Sequence, residues 1–415
     1  MVNDDPAPPA GLVTLTEIET ARDTLRHVVR RTPLEGSRPL AALVGGPVYL
    51  KCENLQRAGS FKIRGAYLRI SRLSGQQRAN GVVAASAGNH AQGVALAGQL
   101  LGTEVTVYMP HGASIAKVEA TRAYGATVAF SGTTVDEALK EARAHAERTG
   151  AALIHPFDHR DIITGQGTIG LEILEQCPDV RTIVVATGGG GLVAGIAAAV
   201  KPQRADVTVY GVQAAAAAAY PASIAAGHPV RLDRMATMAD GIAIASPGVI
   251  PLAHVRAFVD EMLTVPEDAL SRALLLCLER AKMVVEPAGA ASVAAVMERP
   301  ERFEPPVVAV LSGGNIDPIL LLRLIQHGMI AAGRYLDIRV RVPDRPGNLA
   351  GVLQLLGENG GNVLDVVHSR TGPELHLGDV EIELTLETRS NEHARNLIGH
   401  LRASGYIVIE GSAAD

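Results

Sequence analysis

The chain has 415 residues, a formal net charge of −5, 47% apolar residues, 3% aromatics and no tryptophan. That length allows two or three domains, and the weak acidic balance with few aromatic stacking platforms argues against a nucleic-acid partner. Three widely spaced cysteines, Cys52, Cys177 and Cys277, form no Cys-x-x-Cys pair, which disfavours a disulfide framework or structural zinc and fits a reducing, cytoplasmic setting.

The opening twelve residues, MVNDDPAPPAGL, lack the basic and apolar regions of a secretory signal and read as a flexible tail over 1–12. Thr14 and Thr16 each precede a glutamate by three residues, capping-box spacings that predict a helix to about Arg30, stopped by Thr32-Pro33. Short apolar runs at 48–51, 82–85, 105–109, 127–130, 182–186, 207–212 and 307–311 then alternate with amphipathic stretches of helical length. This alternation predicts an α/β fold with doubly wound, mostly parallel sheets. The apolar stretch 182–200, with Gly191 and Gly195 at GxxxG spacing, is interrupted by four glycines and reads as a buried strand, loop and helix, not a membrane span. The alanine run from Ala214 to Ala219 is closed by Tyr220-Pro221. Near Gly333 the grammar changes: strands at 336–342, 362–369, 380–388 and 407–410 and helices at 348–359 and 392–404 give a βαββαβ order. A separate ferredoxin-like domain is expected over 334–415.

Three strand-to-helix junctions are rich in glycine and small polar residues: Ser86-Ala87-Gly88-Asn89-His90, Thr187-Gly188-Gly189-Gly190-Gly191 and Ser312-Gly313-Gly314-Asn315. In an open parallel sheet, ligands sit beyond the carboxyl ends of strands, where helix N-termini offer unpaired NH groups to anions, so three such junctions predict one shared cleft. The four-glycine loop suits a phosphate, because without Cβ atoms the backbone can wrap closely. Gly189-x-Gly191-x-x-Ala194 also fits a dinucleotide fingerprint, but the next strand ends in Gln213 where that reading needs an acid. There are only six lysines: Lys51, Lys62, Lys117, Lys140, Lys201 and Lys282. With Ser60 as N-cap, Lys62 falls in a first helical turn, where the dipole opposes its charge and favours the free amine; the other five read as solvated surface lysines.

The segments Ser60-Phe61-Lys62-Ile63-Arg64-Gly65-Ala66, Ser86-Ala87-Gly88-Asn89-His90-Ala91-Gln92-Gly93, Gly188-Gly189-Gly190-Gly191 and Ser312-Gly313-Gly314-Asn315 resemble, in order, the signatures of fold-type II pyridoxal-phosphate enzymes. Within that family the chain is similar to the threonine ammonia-lyases, or threonine dehydratases, that carry one C-terminal ACT domain. The resemblance implies a catalytic domain over 13–330, with a smaller lobe of about 50–150 inserted, and an ACT-like regulatory domain over 334–415. It implies pyridoxal 5'-phosphate held by Lys62 as a Schiff base, with Phe61 near the ring, Asn89 at the 3'-oxygen, Gly188, Gly189, Gly190 and Gly191 at the phosphate, and Ser312 at the pyridine nitrogen. Glu286, in Glu286-Pro287-Ala288-Gly289, matches a position near the ring, and Ser86, Ala87, Gly88, Asn89 and His90 match the loop for the substrate carboxylate.

The implied reaction is α,β-elimination of L-threonine to 2-oxobutanoate and ammonia, with L-serine to pyruvate as a further activity and isoleucine biosynthesis as a setting. Other hydroxy-amino-acid lyases, β-replacing synthases and a non-catalytic amino-acid sensor remain as alternatives. Ala87 stands where serine racemases carry a serine base, so racemisation is not expected. Gln213 and the alanine run stand where those relatives place acidic ligands for a divalent cation, and His155, Asp158, His159 and Asp161 lack a second cluster at ligand spacing, so no metal site is expected. In the C-terminal module, Gly347, Asn348 and Leu349 are the expected effector position for a branched-chain amino acid. A homo-oligomer, dimer or tetramer, and no membrane partner complete the expectations.

Overall fold

The computed structural model describes residues 11–371 and 375–410. The chain divides after Leu321 into two compact units.

The first unit holds two sheets. One has six strands in the order Leu34–Gly36, Val48–Cys52, Val307–Leu311, Thr182–Ala186, Thr208–Ala214 and Glu261–Val265, with Leu34–Gly36 antiparallel and the rest parallel. The other has four parallel strands in the order Thr127–Phe130, Val105–Met109, Val82–Ala85 and Ala152–Leu153. Every residue of Val82–Ala85, Thr182–Ala186 and Val307–Leu311 is buried, as expected of β-branched runs covered by helices on both faces. The apolar stretch at 182–200 is a strand and the helix Gly191–Val200, and no helix among the described residues is long and apolar enough to cross a membrane.

Some boundaries differ from expectation. Thr14 and Glu17 form the expected capping box, but the helix Leu15–Leu25 stops short of Arg30, because the NH groups of Val28 and Val29 both turn back to the carbonyl of Leu25. Of the expected tail, residues 1–10 lie outside the described ones, whereas Leu12 is buried. Tyr220-Pro221, which closes the alanine run, opens the helix Tyr220–Ala226, since proline needs no NH partner in a first turn.

Three helices behind the large sheet meet through glycines. A Cβ on Gly165 would lie 2.7 Å from the Cα of Gly65, and one on Gly195 would lie 2.4 Å from the carbonyl oxygen of Ile163. The helices Lys62–Ser71, Arg160–Gln176 and Gly191–Val200 therefore touch backbone to backbone, which accounts for Gly195, whereas Gly191 faces Phe157.

A buried ionic network fixes the same helices. Arg64 donates from Nε and Nη2 to both oxygens of Glu53, at 2.9 and 2.7 Å, and from Nη1 to Glu172 at 2.7 Å. Lys51 donates to the other oxygen of Glu172 at 2.6 Å and to the carbonyl of Thr32 at 2.9 Å. Lys51, Glu53 and Arg64 are fully buried, so the surface reading of Lys51 is corrected: two cations and two carboxylates neutralise one another inside the domain.

The second unit is one antiparallel sheet in the order Asn362–Ser369, Asp379–Glu387, Tyr335–Pro343 and Ile407–Glu410, with the helices Asn348–Glu358 and Asn391–Ala403. Val340, Ile382, Leu384, Leu356 and Leu401 fill its core. This is the expected βαββαβ order.

Arg64→Met would leave Glu53 without its cation and Glu172 with Lys51 alone, and loss of one partner of a buried pair costs about 3–5 kcal/mol. Urea unfolding of the catalytic unit should show that loss, against about 0–1 kcal/mol for Arg26→Ala at the exposed Arg26–Asp23 pair. Equal losses would mean that the network does not hold the helices.

Candidate active site

The strands Val82–Ala85, Thr182–Ala186 and Val307–Leu311 all end, at their carboxyl ends, on one cavity of about 910 Å³. The three junctions singled out in the sequence converge there: Ser86, Ala87, Gly88, Asn89 and His90 from the small sheet, and Gly188, Gly189, Gly190, Gly191 and Ser312 from the large one, all line it, with Phe61, Lys62 and Glu286.

Lys62 is the first residue of its helix, and Ser60 is not its side-chain cap. Ser60 is extended and forms an isolated bridge to Gly313, leaving its buried hydroxyl without a partner. That bridge, with Phe61 NH to the Ser312 carbonyl at 3.3 Å and Gly314 NH to the Gly59 carbonyl at 2.9 Å, ties the lysine segment to the Ser312 loop. The Lys62 amine donates to the carbonyl of Pro156 at 2.9 Å and lies 5.0 Å from the centre of the Phe61 ring. Burial lowers its pKa to about 8, against an opposing pull from Glu286.

Asn89 begins the helix Asn89–Leu101. Its amide donates to Glu286 Oε1 at 2.5 Å and its oxygen accepts from Asn315 at 2.8 Å, which fixes the orientation of the amide and leaves one N–H free. Glu286 is pushed up to about 7, first by burial and then by the charge of Asp240, so near neutrality its carboxyl exchanges between acid and carboxylate. The His90 ring is buried and donates from Nε2 to the Ile154 carbonyl at 2.8 Å; burial and the Lys62 charge lower its pKa to about 3, so it stays neutral. Only its backbone NH, in the first turn of the helix, remains for an anion.

The glycine loop is confined as well as open. Gly190 has φ +94, and a Cβ there would lie 1.7 Å from the Tyr220 hydroxyl; on Gly189 it would lie 2.3 Å from the Phe157 ring. Neighbouring side chains thus wall the loop on one side while its backbone faces the cavity on the other. Gln213, the residue that weakened the dinucleotide reading, accepts from Tyr220 NH at 2.9 Å and closes the turn after the alanine run.

Several further cavity residues are not singled out in the sequence as cofactor or substrate contacts, although His155 and Asp158 stand out there as a weak metal cluster. His155, Pro156, Phe157 and Asp158 follow the two-residue strand Ala152–Leu153, too short to leave a pattern. His155 Nδ1 accepts from Asp158 NH at 2.8 Å, and burial lowers its pKa to about 4; Asp158 in turn accepts from Ile250 NH at 2.9 Å. His159 caps the following helix and Asp161 pairs with Arg72 at 2.5 Å. Lys117, expected at the surface, instead lines the cavity with only 13% of its side chain exposed, because it pairs with Asp240 at 2.8 Å. In the second unit, Gly347 has φ +96 and precedes the helix Asn348–Glu358, while Asn348 donates to the Pro343 carbonyl at 2.8 Å.

A buried amine in an α/β cavity ringed by glycine-rich strand ends defines a class. The chain belongs to the pyridoxal-phosphate-dependent enzyme family, whose model matches residues 25–313, and an ACT domain matches residues 337–402. It is 46% identical to an L-threonine ammonia-lyase from Thermotoga maritima, over 96% of this chain and 99% of that protein. Among solved structures it resembles a T.th. threonine deaminase, with TM-score 0.70 and 42% identity over 74% of this chain and 99% of the other. It also resembles maize serine racemase, with TM-score 0.72 and 35% identity over 75% and 96%.

The residues present fit pyridoxal 5'-phosphate. The amine is buried, the glycine loop lines the cavity with backbone alone, and the Ser312 hydroxyl, at the cavity wall, has no hydrogen-bond partner among the described residues.

In cofactor-free protein, capture of pyridoxal phosphate by Lys62, trapped with borohydride, should rise with pH about a midpoint near 8, where the amine loses its proton. A midpoint at the ordinary lysine value of 10.5 would show that burial does not discharge it.

Proposed function

We propose that the chain deaminates L-threonine by α,β-elimination to give 2-oxobutanoate and ammonia, and acts on L-serine as a secondary substrate. The observation that carries this reading is one buried amine, Lys62, set among three glycine-rich strand ends in a chain that matches an L-threonine ammonia-lyase over nearly its whole length.

Lys62, the backbone of Gly188 to Gly191, the free N–H of Asn89 and the Ser312 hydroxyl would hold the cofactor, with Phe61 beside its ring. When bound, the cofactor supplies the electron sink for the bond broken at the substrate Cα. Lys62 Nζ, neutral above about pH 8, takes the Cα proton as a general base. The Cα–Cβ double bond forms as the β-hydroxyl leaves with a proton as water; hydrolysis of the released enamine gives 2-oxobutanoate and ammonia. The first-turn NH groups after Gly88, with the Ser86 hydroxyl, would bind the α-carboxylate, as anions bind at helix N-termini. A neutral hydroxyl such as Ser312, were it to face the pyridine nitrogen, would leave that ring less protonated than an aspartate would, which would favour elimination over transamination. Ala87 lines the cavity without a hydroxyl, so that side offers no second proton carrier for racemisation.

We read the second unit as a regulatory module that binds a branched-chain amino acid around Gly347, Asn348 and Leu349. The turn carries Asp344, which pairs with Arg370 at 3.0 Å, beside the helix N-terminus. Its outer strands expose Leu364, Val367 and Ile407, apolar positions that suit pairing between copies of the chain and support a homo-oligomer. Three buried free thiols suit a reducing, cytoplasmic setting.

Holoenzyme given L-threonine should release 2-oxobutanoate, and Lys62→Ala should lower kcat by at least about a thousandfold while the protein stays folded. Full turnover by that variant would remove the assignment. Calorimetric titration of the full chain with isoleucine and valine should show heat with at least one, and Asn348→Ala should weaken it; no heat with either would leave the module without an amino-acid effector of this class.

A further inference from the structure

Four cations line the cavity among the described residues: Lys62, Lys117, Arg143 and Arg231. Arg143 and Arg231 are exposed at its mouth, and Lys62 is already assigned. Lys117 differs from all three. It sits on the helix Ile115–Ala123 of the small-sheet lobe, and its ammonium reaches across the cleft to Asp240, on the turn Asp240–Ile242 of the large-sheet lobe. The lysine is 13% exposed, whereas its partner is 56% exposed, so the cation faces inward and the carboxylate faces solvent.

The inward placement puts Lys117 over the loop at 86–90. A Cβ on Gly88 would find the Lys117 amine 3.9 Å away, with no other atom within 4 Å. The amine therefore rests against the loop, and an anion held by the loop's NH groups lies beside a positive charge. Two further side-chain pairs run between the lobes near the same mouth: Ser114 donates to Asp317 at 2.6 Å, and Arg231 pairs with Asp136. Asp240 is solvent-exposed, so exchanging it for another carboxylate costs little.

We propose that Lys117 receives the α-carboxylate of the amino-acid substrate, with Asp240 as its resting partner, so that binding exchanges the ion pair across the cleft for one with the substrate. This deepens the reading of residues 86–90 as the carboxylate loop and rests on it. The loop supplies NH groups at fixed positions, and Lys117, on the same lobe, supplies a full charge beside them, so a ligand with a carboxylate frees Asp240 and one without it leaves the cross-cleft pair in place. Specificity for free amino acids over their amides follows, because an amide cannot replace Asp240.

The test compares holoenzyme with Lys117→Met, Lys117→Arg, Asp240→Asn and Ser86→Ala, using KM and kcat for L-threonine and the inhibition constant of L-threoninamide. Loss of one charge-assisted contact predicts a rise in KM of about tenfold or more for Lys117→Met, with kcat changed by less than about threefold. The threoninamide constant and the cofactor concentration that saturates the visible band should stay as in the parent. Lys117→Arg should retain most of the preference for the acid, and Asp240→Asn, which removes the competing carboxylate, should lower KM or leave it unchanged. Equal losses for threonine and threoninamide, a rise in KM with Asp240→Asn, or weakened cofactor binding would each overturn the proposal. If Ser86→Ala separates the two ligands and Lys117→Met does not, only the role of Lys117 fails; if neither separates them, the carboxylate-loop reading has failed.

Discussion

The position of the reactive amine depends on a charge network that it does not touch. Arg64 lies two residues beyond Lys62, and its guanidinium is held bidentately by Glu53 and again by Glu172, with no exposure to water. Glu53 follows the strand Val48–Cys52 and Glu172 sits on the helix Arg160–Gln176, so one side chain joins the lysine helix to a central strand and to the helix behind it. Burying charge is costly unless each charge is paired and each remaining hydrogen bond is made. Here Thr32, Thr168 and Gln176 complete the set, which leaves the network one low-energy arrangement and the helix one position.

Two opposite electrostatic settings lie close together. The network compensates its charges fully, whereas the cavity leaves its groups short of compensation, so the Lys62 amine loses its proton readily and Glu286 keeps its proton to about neutrality. Asn89 connects the cavity's two lobes by bonding Glu286 and Asn315 at once. The amine and the carboxyl thus stay near their neutral forms, where proton transfer costs least.

Much of this was legible in the sequence, for identifiable reasons. Runs such as Thr182–Ala186 and Val307–Leu311 announce strands because parallel strands buried on both faces are continuously apolar. Leu34–Gly36 and Ala152–Leu153 are too short for any periodicity, and Glu261–Val265 lies at a sheet edge with a mixed pattern, so all three escaped notice. The glycine loops stood out because few structural needs call for four glycines in a row. The partners of Lys51 and Lys117 did not, since the second pair joins residues 123 positions apart and leaves no local trace. A lysine that ends a strand and one that sits on an amphipathic helix look the same in sequence, whether they face solvent or a buried carboxylate.

The glycine contacts among the three helices have a mechanical consequence. Where side chains separate two helices, rotamer changes let the spacing drift; where Gly165 rests on Gly65 and Gly195 on Ile163, no side chain intervenes and the spacing has no adjustable part. The lysine helix therefore behaves as the fixed jaw of a vice. Its other face carries Ile63, Ala66 and Ile70 into the core of the four-stranded lobe, so adaptation to ligands of different length is left to the few polar side chains that join that lobe to the large sheet at the cavity mouth and can release and re-form.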